Sequence, residues 1–359
     1  MAVSQFKIFT SADPYAPTLN GLSGSLVNLL DSVLVNGYGN KSPLGWLKPL
    51  ANDSLTSSLA CWRQPSGSGL ILYMNDAAPS GSTTSGGREA WVCGYERIVG
   101  LTGSTYPTTG TGYGVFPHYS QVFVNIAAGT VPSSSLWWRK SVNIDSNPRP
   151  WILFGDDRTF YLFVQAGDTA NIYYTYWFGD FYSIKPTNDE YKCLIKGRMG
   201  NQTNASAYRF DAGDITVKPT VTTWPHLFAA RTLGSGGLGC QLNSCGDMGK
   251  NTMQTLTNPA GNGEFANEFS GIIPYPNPPD NSVIISPIRL FETTGVLRGR
   301  MRGMYHLCHN AGYFNDNQEF EGTGEFVGRR FRIVKTGPAT FAGGTMWVIE
   351  ISNTVETND

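Results

Sequence analysis

The sequence predicts a mainly β protein, an antiparallel β-sandwich or meander with one N-terminal α-helix and long irregular loops. Three observations predict it. Only 15% of the 359 residues are charged, against about 25% in an average globular protein. The deficit is filled by Gly, Ser, Thr, Asn and aromatic residues, the composition of short strands joined by tight turns. Helical periodicity is confined to one stretch near the N-terminus, whereas short runs of β-branched and aromatic residues recur along the rest of the chain.

The helix is expected between Leu22 and Val35. Its apolar residues Leu22, Leu26, Leu29, Leu30, Val33 and Leu34 trace one face, and Asn36-Gly37 supplies a left-handed C-cap. Before it, Val3, Phe6, Ile8 and Phe9 alternate as an isolated strand or arm, and the segment from Ser11 to Pro17 is too rich in proline for regular structure. After it, Leu59–Arg63, Gly69–Met74 and Arg88–Tyr95 read as strands of a meander separated by Ser/Gly clusters.

The clearest hairpin lies at Arg149–Val164. Trp151–Phe154 and Thr159–Val164 flank the turn residues Gly155-Asp156-Asp157-Arg158. Asn171–Ile184 holds an aromatic strand interrupted at Gly179-Asp180, and Tyr191–Lys196 follows. From about Phe210 to Pro279 the chain reads as irregular; Ser282–Phe291, Val296–Tyr305, Arg329–Lys335 and Thr345–Ile351 read as the closing strands. The expected organisation is an N-terminal arm and helix (1–45), a β domain (46–215), and a loop-rich segment with C-terminal strands (216–359) that can belong to the same β domain.

Composition also bounds function. A net charge of −1 argues against a broad nucleic-acid footprint. Low charge suits a protein that spends its life packed against partners. No apolar run reaches the length of a membrane span, and Met1–Thr10 does not read as a signal peptide. The scattered cysteines (Cys61, Cys93, Cys193, Cys240, Cys245, Cys308) read as small core residues made in a reducing cytosol.

Candidate chemistry is sparse. Gly234–Gly239 holds a formal G-x-G-x-x-G, but no strand–helix setting surrounds it, so a loop is expected. His306, Cys308 and His309, with Cys240 and Cys245, are the densest soft ligands; structural zinc wants two close pairs, and on a strand His309 points away from the other two. Buried, hydrogen-bonded side chains are therefore expected there, with no cofactor. Four histidines (His118, His226, His306, His309) give a nucleophilic triad little to work with. Glycoside hydrolysis would need only paired carboxylates, but Asp156, Asp157 and Asp180 sit where turns want Asp. No enzyme is expected.

The aromatic residues carry more weight. In Tyr173–Phe178, alternation places Tyr174, Tyr176 and Phe178 on one face and Tyr173 and Trp177 on the other. Trp137-Trp138 likewise splits across two faces. Such a strand is buried on both sides, or presents Trp137, Trp138, Tyr173 and Trp177 as a surface for a protein or a sugar. Phe6, Ile8 and Phe9 are candidate assembly contacts, able to add to a neighbour's sheet edge.

Several stretches resemble a family of tailed-bacteriophage and prophage virion proteins. They are Ser11-Ala-Asp-Pro-Tyr-Ala-Pro-Thr-Leu-Asn-Gly21, Leu30 to Trp46 (LDSVLVNGYGNKSPLGW), Arg149-Pro-Trp151 leading into Asp156-Asp-Arg-Thr-Phe-Tyr161, and Phe178-Gly-Asp-Phe-Tyr182. A weaker echo runs through Val283–Met304, and the Gly234–Cys245 loop departs from the pattern. The resemblance implies a structural role in the virion (tail, neck or capsid surface), made in the host bacterial cytoplasm, with no catalytic residues to carry over. The expected partners are other copies of the chain and other virion proteins. The alternative is a receptor- or carbohydrate-binding protein that meets a host surface glycan.

Overall fold

The computed structural model of the chain describes residues 6–50, 58–77, 79–80, 85–86, 88–101, 111–114, 136–167, 173–185, 188–199, 227–230, 241–245, 275–292, 297–309, 313–335 and 346–351. In chain order, strand β1 (Lys7–Thr10) precedes helix α1 (Ser25–Asp31), which runs on into a π-turn at Ser32–Asn36. Then come β2 (Leu59–Arg63), β3 (Ile71–Asn75), β4 (Pro79–Ser80), β5 (Ser85–Gly86), β6 (Glu89–Tyr95), β7 (Arg97–Gly100), β8 (Thr111–Tyr113) and β9 (Leu136–Arg139). β10 (Trp151–Gly155), β11 (Thr159–Val164), β12 (Tyr174–Asp180), β13 (Tyr182–Ser183) and β14 (Cys193–Met199) form the middle of the chain. β15 (Leu227–Ala229), β16 (Gln241–Cys245), β17 (Ile285–Glu292), β18 (Leu297–Leu307), β19 (Glu319–Glu321), β20 (Arg330–Lys335) and β21 (Met346–Ile351) follow.

All strand pairs are antiparallel, and one hydrogen-bonded ladder links most of them. The middle run is β1-β10-β11-β12-β14. From β14 the ladder branches: one arm continues through β9 to β6, β3 and β2. The other passes through β15, β16, β17 and β18 to β21, β20 and β19. Apolar packing folds this ladder into a stack of three layers. One cluster joins the helix (Leu26, Leu29, Leu30, Val33, Leu34), the β2–β3–β6–β9 face (Trp62, Leu72, Val92, Trp138) and one face of the middle run (Trp151, Leu153, Phe160, Leu162, Tyr176, Phe178). A second joins the opposite face (Ile152, Phe154, Tyr161, Phe163, Trp177) to Ile288, Leu290, Met304, Trp347 and Ile349 of the C-terminal strands.

The mainly β, antiparallel expectation with a single helix is met. The predicted hairpin is β10–β11, with Gly155 opposite Phe160 and Trp151 opposite Val164. The helix is shorter than its apolar periodicity suggests, because Leu22 precedes it in a turn and Gly24, left-handed at φ 84°, begins it; Gly37 ends the π-turn with φ 78°. The stretch from Phe210 to Pro279, read as irregular, contains two strands, β15 and β16, the second following the glycine-rich loop. The G-x-G-x-x-G loop and Cys240 lie outside the described residues.

Candidate functional site

The acids singled out in the sequence meet at one corner of the middle run, where the β10–β11 turn lies beside the end of β12. Asp156 closes that turn: Oδ1 accepts the backbone N–H groups of Arg158 and Thr159, each at 2.8 Å. The same carboxylate takes both arms of the Arg302 guanidinium, Nη1 on Oδ1 at 3.1 Å and Nη2 on Oδ2 at 2.6 Å. Such a bidentate pair is strong and directional. Arg302 also donates to Thr159 Oγ1, whose hydroxyl donates to the Asp180 carbonyl at 2.7 Å. Asp157 remains at the surface and accepts from Ser66 Oγ.

Asp180 is a correction to the turn reading. It is a buried carboxylate that holds a distant loop. Oδ1 accepts from Ser68 Oγ at 2.6 Å and Gln64 Nε2 at 3.0 Å, and Oδ2 accepts the Ser68 N–H at 3.0 Å. Burial raises its pKa above the ordinary aspartate value; the Ser68 and Gln64 hydrogen bonds and Lys192, 3.9 Å away, only partly offset this. The neighbouring Cys193 thiol is pushed well up by burial and then by Asp180, which keeps it an unreactive thiol. Both Asp156 oxygens are occupied and Asp180 is enclosed by Gln64 and Ser68. The corner therefore ties β2, the β10–β11 turn, β12 and β18 together, and does not form the open acid–base pair that glycoside hydrolysis needs.

The candidate aromatic surface is mostly interior. Trp138 and Trp177 are fully buried. Trp138 stacks on Tyr176 with ring centroids 5.3 Å apart, and Trp177 meets Tyr161 and Trp347 edge to face. Tyr173 is half-buried against the second cluster. Trp137 lies on β9 opposite Trp91 and Arg198, and its side chain is outside the described residues. The two-faced aromatic pattern thus reflects two-sided burial: β10, β11 and β12 are covered on both faces.

The candidate assembly arm is corrected too. β1 pairs with β10 of its own chain, Lys7 opposite Gly155 through Thr10 opposite Ile152. Phe6 packs edge-on to Tyr161 and Phe9 against Tyr38, both buried, while Ile8 leans on the second cluster. The outer rim of β1 is also occupied. Asp13 Oδ2 accepts the Thr10 N–H at 2.8 Å, the Asp13 N–H donates to the Thr10 carbonyl, and Lys41 Nζ donates to the Ile8 carbonyl at 3.2 Å. Such capping blocks strand addition at an edge.

Of the soft-ligand set, Cys240 and the Cys245 side chain lie outside the described residues, and His306, Cys308 and His309 have separate surroundings. His306 is half-buried and stacks on Trp347, and desolvation pushes its pKa down to about 4. His309 Nε2 accepts the Ile284 N–H at 2.7 Å. Burial pushes the Cys308 thiol up to about 11. Among the described residues no three His, Cys, Asp or Glu side chains come together in a metal-binding group. Cys61, Cys93, Cys193 and Cys308 are free, buried thiols.

Residues that sequence reasoning missed are the buried ion pairs. Arg298 meets Asp189 through two hydrogen bonds, and Glu350 is held by Arg329 beside the Tyr305 hydroxyl. Asp76 and Lys140 form a third pair. In a chain with so few charges, an isolated acid or base next to a strand of apolar residues was the available signal. Comparison with known proteins finds no matching family model and no matching curated protein.

Proposed function

We propose that the chain is a structural component of a tailed-bacteriophage particle, acting through assembly with copies of itself and with other virion proteins. The observation that carries this reading is the division of labour among its side chains. Among the described residues, Asp156, Asp180, His309 and Glu350 are engaged in tying strands together. Large apolar side chains, by contrast, stand out on loops: Tyr15 is 86% exposed, Val327 73%, and Ile184 and Tyr313 more than half. Tyr15 also holds a left-handed backbone, φ 62°, a conformation that costs a non-glycine residue energy and concentrates at sites of contact. The sequence motifs that resemble virion proteins include this same Ser11–Gly21 segment. Among the described residues no helix is long and apolar enough to cross a membrane.

The test is the assembly state of the purified chain and its attachment to particles. Sedimentation and native mass spectrometry are expected to show a closed oligomer, or the chain is expected to bind particles lacking it. A chain that stays monomeric and binds no particle overturns the reading.

A further inference from the structure

The pair that closes the start of α1 sets a buried lysine amine against a buried aspartate. Asp76 follows β3 and Lys140 follows β9, and both side chains are fully buried. Lys140 Nζ lies 2.5 Å from Asp76 Oδ1, closer than the roughly 2.7–2.9 Å of a charge-assisted N–H···O bond. The amine and the carboxyl group are thus held in direct contact, hydrogen bonding and charge both drawing them together.

The surroundings are arranged for more than charge pairing. Asp76 Oδ2 accepts the Leu26 N–H at 2.9 Å, with the Val27 N–H beside it, at the first turn of α1. Nζ also reaches the Leu22 carbonyl at 2.5 Å and Ser25 Oγ at 3.0 Å. The backbone on both sides is fixed: Asp76 N–H donates to Ser58 O, Ser23 Oγ donates to Asp76 O, and Lys140 N–H donates to Arg88 O. Burial pushes the Asp76 carboxyl up to about 6, against the pull of Lys140. Burial likewise lowers the Lys140 pKa, against the pull of Asp76. Both partners are thereby moved towards their neutral forms, a nucleophilic amine and an electrophilic carboxylic acid.

We propose that Lys140 and Asp76 become joined by an amide bond between Nζ and Cγ, an intramolecular cross-link between the ends of β3 and β9. The neutral amine adds to Cγ, and the negative charge that develops on Oδ2 meets the Leu26 and Val27 N–H groups, which act as an oxyanion hole. The Cγ–Oδ1 bond then breaks. Oδ1 leaves as water, carrying the proton of the carboxylic acid and one proton from the amine, with the Ser25 hydroxyl placed to relay it. The amide keeps one N–H, for which Leu22 O and Ser25 Oγ are acceptors. No oxidant, metal or co-reactant is required, and holding the groups in contact supplies the effective concentration the step needs.

Intact-mass measurement of the purified full chain tests this. The wild type is expected to be lighter than its sequence by one water molecule, and proteolysis is expected to yield a branched peptide joining Asp76 to Lys140. Lys140→Arg, which keeps the charge without a reactive amine, is expected to show the full sequence mass. Asp76→Asn would expel ammonia in place of water and form the same bond, so the two chains are expected to converge on one mass. A wild-type chain at full sequence mass, or a deficit that persists in Lys140→Arg, overturns the proposal. Neither result depends on whether the variants fold as stably as the wild type.

Discussion

Trp177 of β12 meets Trp347 of β21 edge to face, with ring centroids 5.1 Å apart and planes at 88°. The contact joins the middle of the chain to its C-terminal strand through the second apolar cluster. Trp177→Ala is expected to cost about 3–5 kcal/mol, the usual penalty for removing a fully buried tryptophan. Urea unfolding followed by circular dichroism reads it. A loss below about 1 kcal/mol would mean that the two layers do not depend on this contact.

Two buried aspartates should leave opposite marks on stability as pH changes. Burial pulls Asp189 up, but the Arg298 and Ser183 hydrogen bonds outweigh it and hold the carboxyl below its ordinary value. Its contribution is therefore present above the unfolded value of about 4 and lost as pH falls through the folded one. Asp180 is raised by burial, so the fold favours its protonated form. Its contribution is greatest at acid pH and declines as pH climbs through that same unfolded value towards the folded one. Asp189→Asn should weaken the acid-side loss, and Asp180→Asn should relieve the decline on the way up. Urea midpoints measured across the acid range check both signs. Removing the partner outright, as Asp189→Ala, strands Arg298 in the interior and should cost about 3–5 kcal/mol.

The capped rim of β1 predicts an engineered failure. Asp13→Ala removes the acceptor for the Thr10 N–H and for the Tyr38 hydroxyl, a loss of about 1–2 kcal/mol. Combined with Lys41→Ala, it bares the Ile8 carbonyl and the Thr10 N–H. Light scattering should then show species larger than those of the wild type, growing with concentration. Unchanged particle size would show that other features protect this edge.

Gly179 allows the corner around Asp180 to close. Its φ is +137°, and a Cβ there would stand 2.3 Å from the Arg158 carbonyl oxygen and 2.4 Å from Thr159 Cα. Both obstacles are backbone. Gly179→Ala should cost at least about 2 kcal/mol, from strained φ and overpacking together, visible as a lower thermal midpoint.

What the sequence revealed was local. The β10–β11 hairpin was legible because Gly155 to Arg158 carries turn chemistry between two runs of β-formers, and the Asp156 hydrogen bonds show that chemistry at work. The helix face was legible from spacing alone, and Gly37 as its stop. Sequence also assigned Tyr176 and Trp177 to opposite faces of β12. It did not reveal what covers each face, because the cover comes from β2–β9 on one side and β17–β21 on the other, far away in the chain. Phe6 and Phe9 were misread for the same reason: a lone strand carries no sign that its partner lies at residues 152–155. Asp180 looked like a turn residue because Gly179 precedes it, and only the approach of Gln64 and Ser68 shows otherwise.

The pairing of β1 with β10 has a consequence for how the molecule is made. On the ribosome, the first strand emerges long before the one it needs, and the middle layer lacks one of its two covers until Trp347 and Ile349 have been synthesised. Contacts this distant are slow to form, since the closing of long loops precedes any reward from packing. The nascent chain must therefore carry unpaired strand edges and uncovered aromatic faces for most of its synthesis. The conditions met during synthesis, as much as the finished fold, are what this sequence has to satisfy.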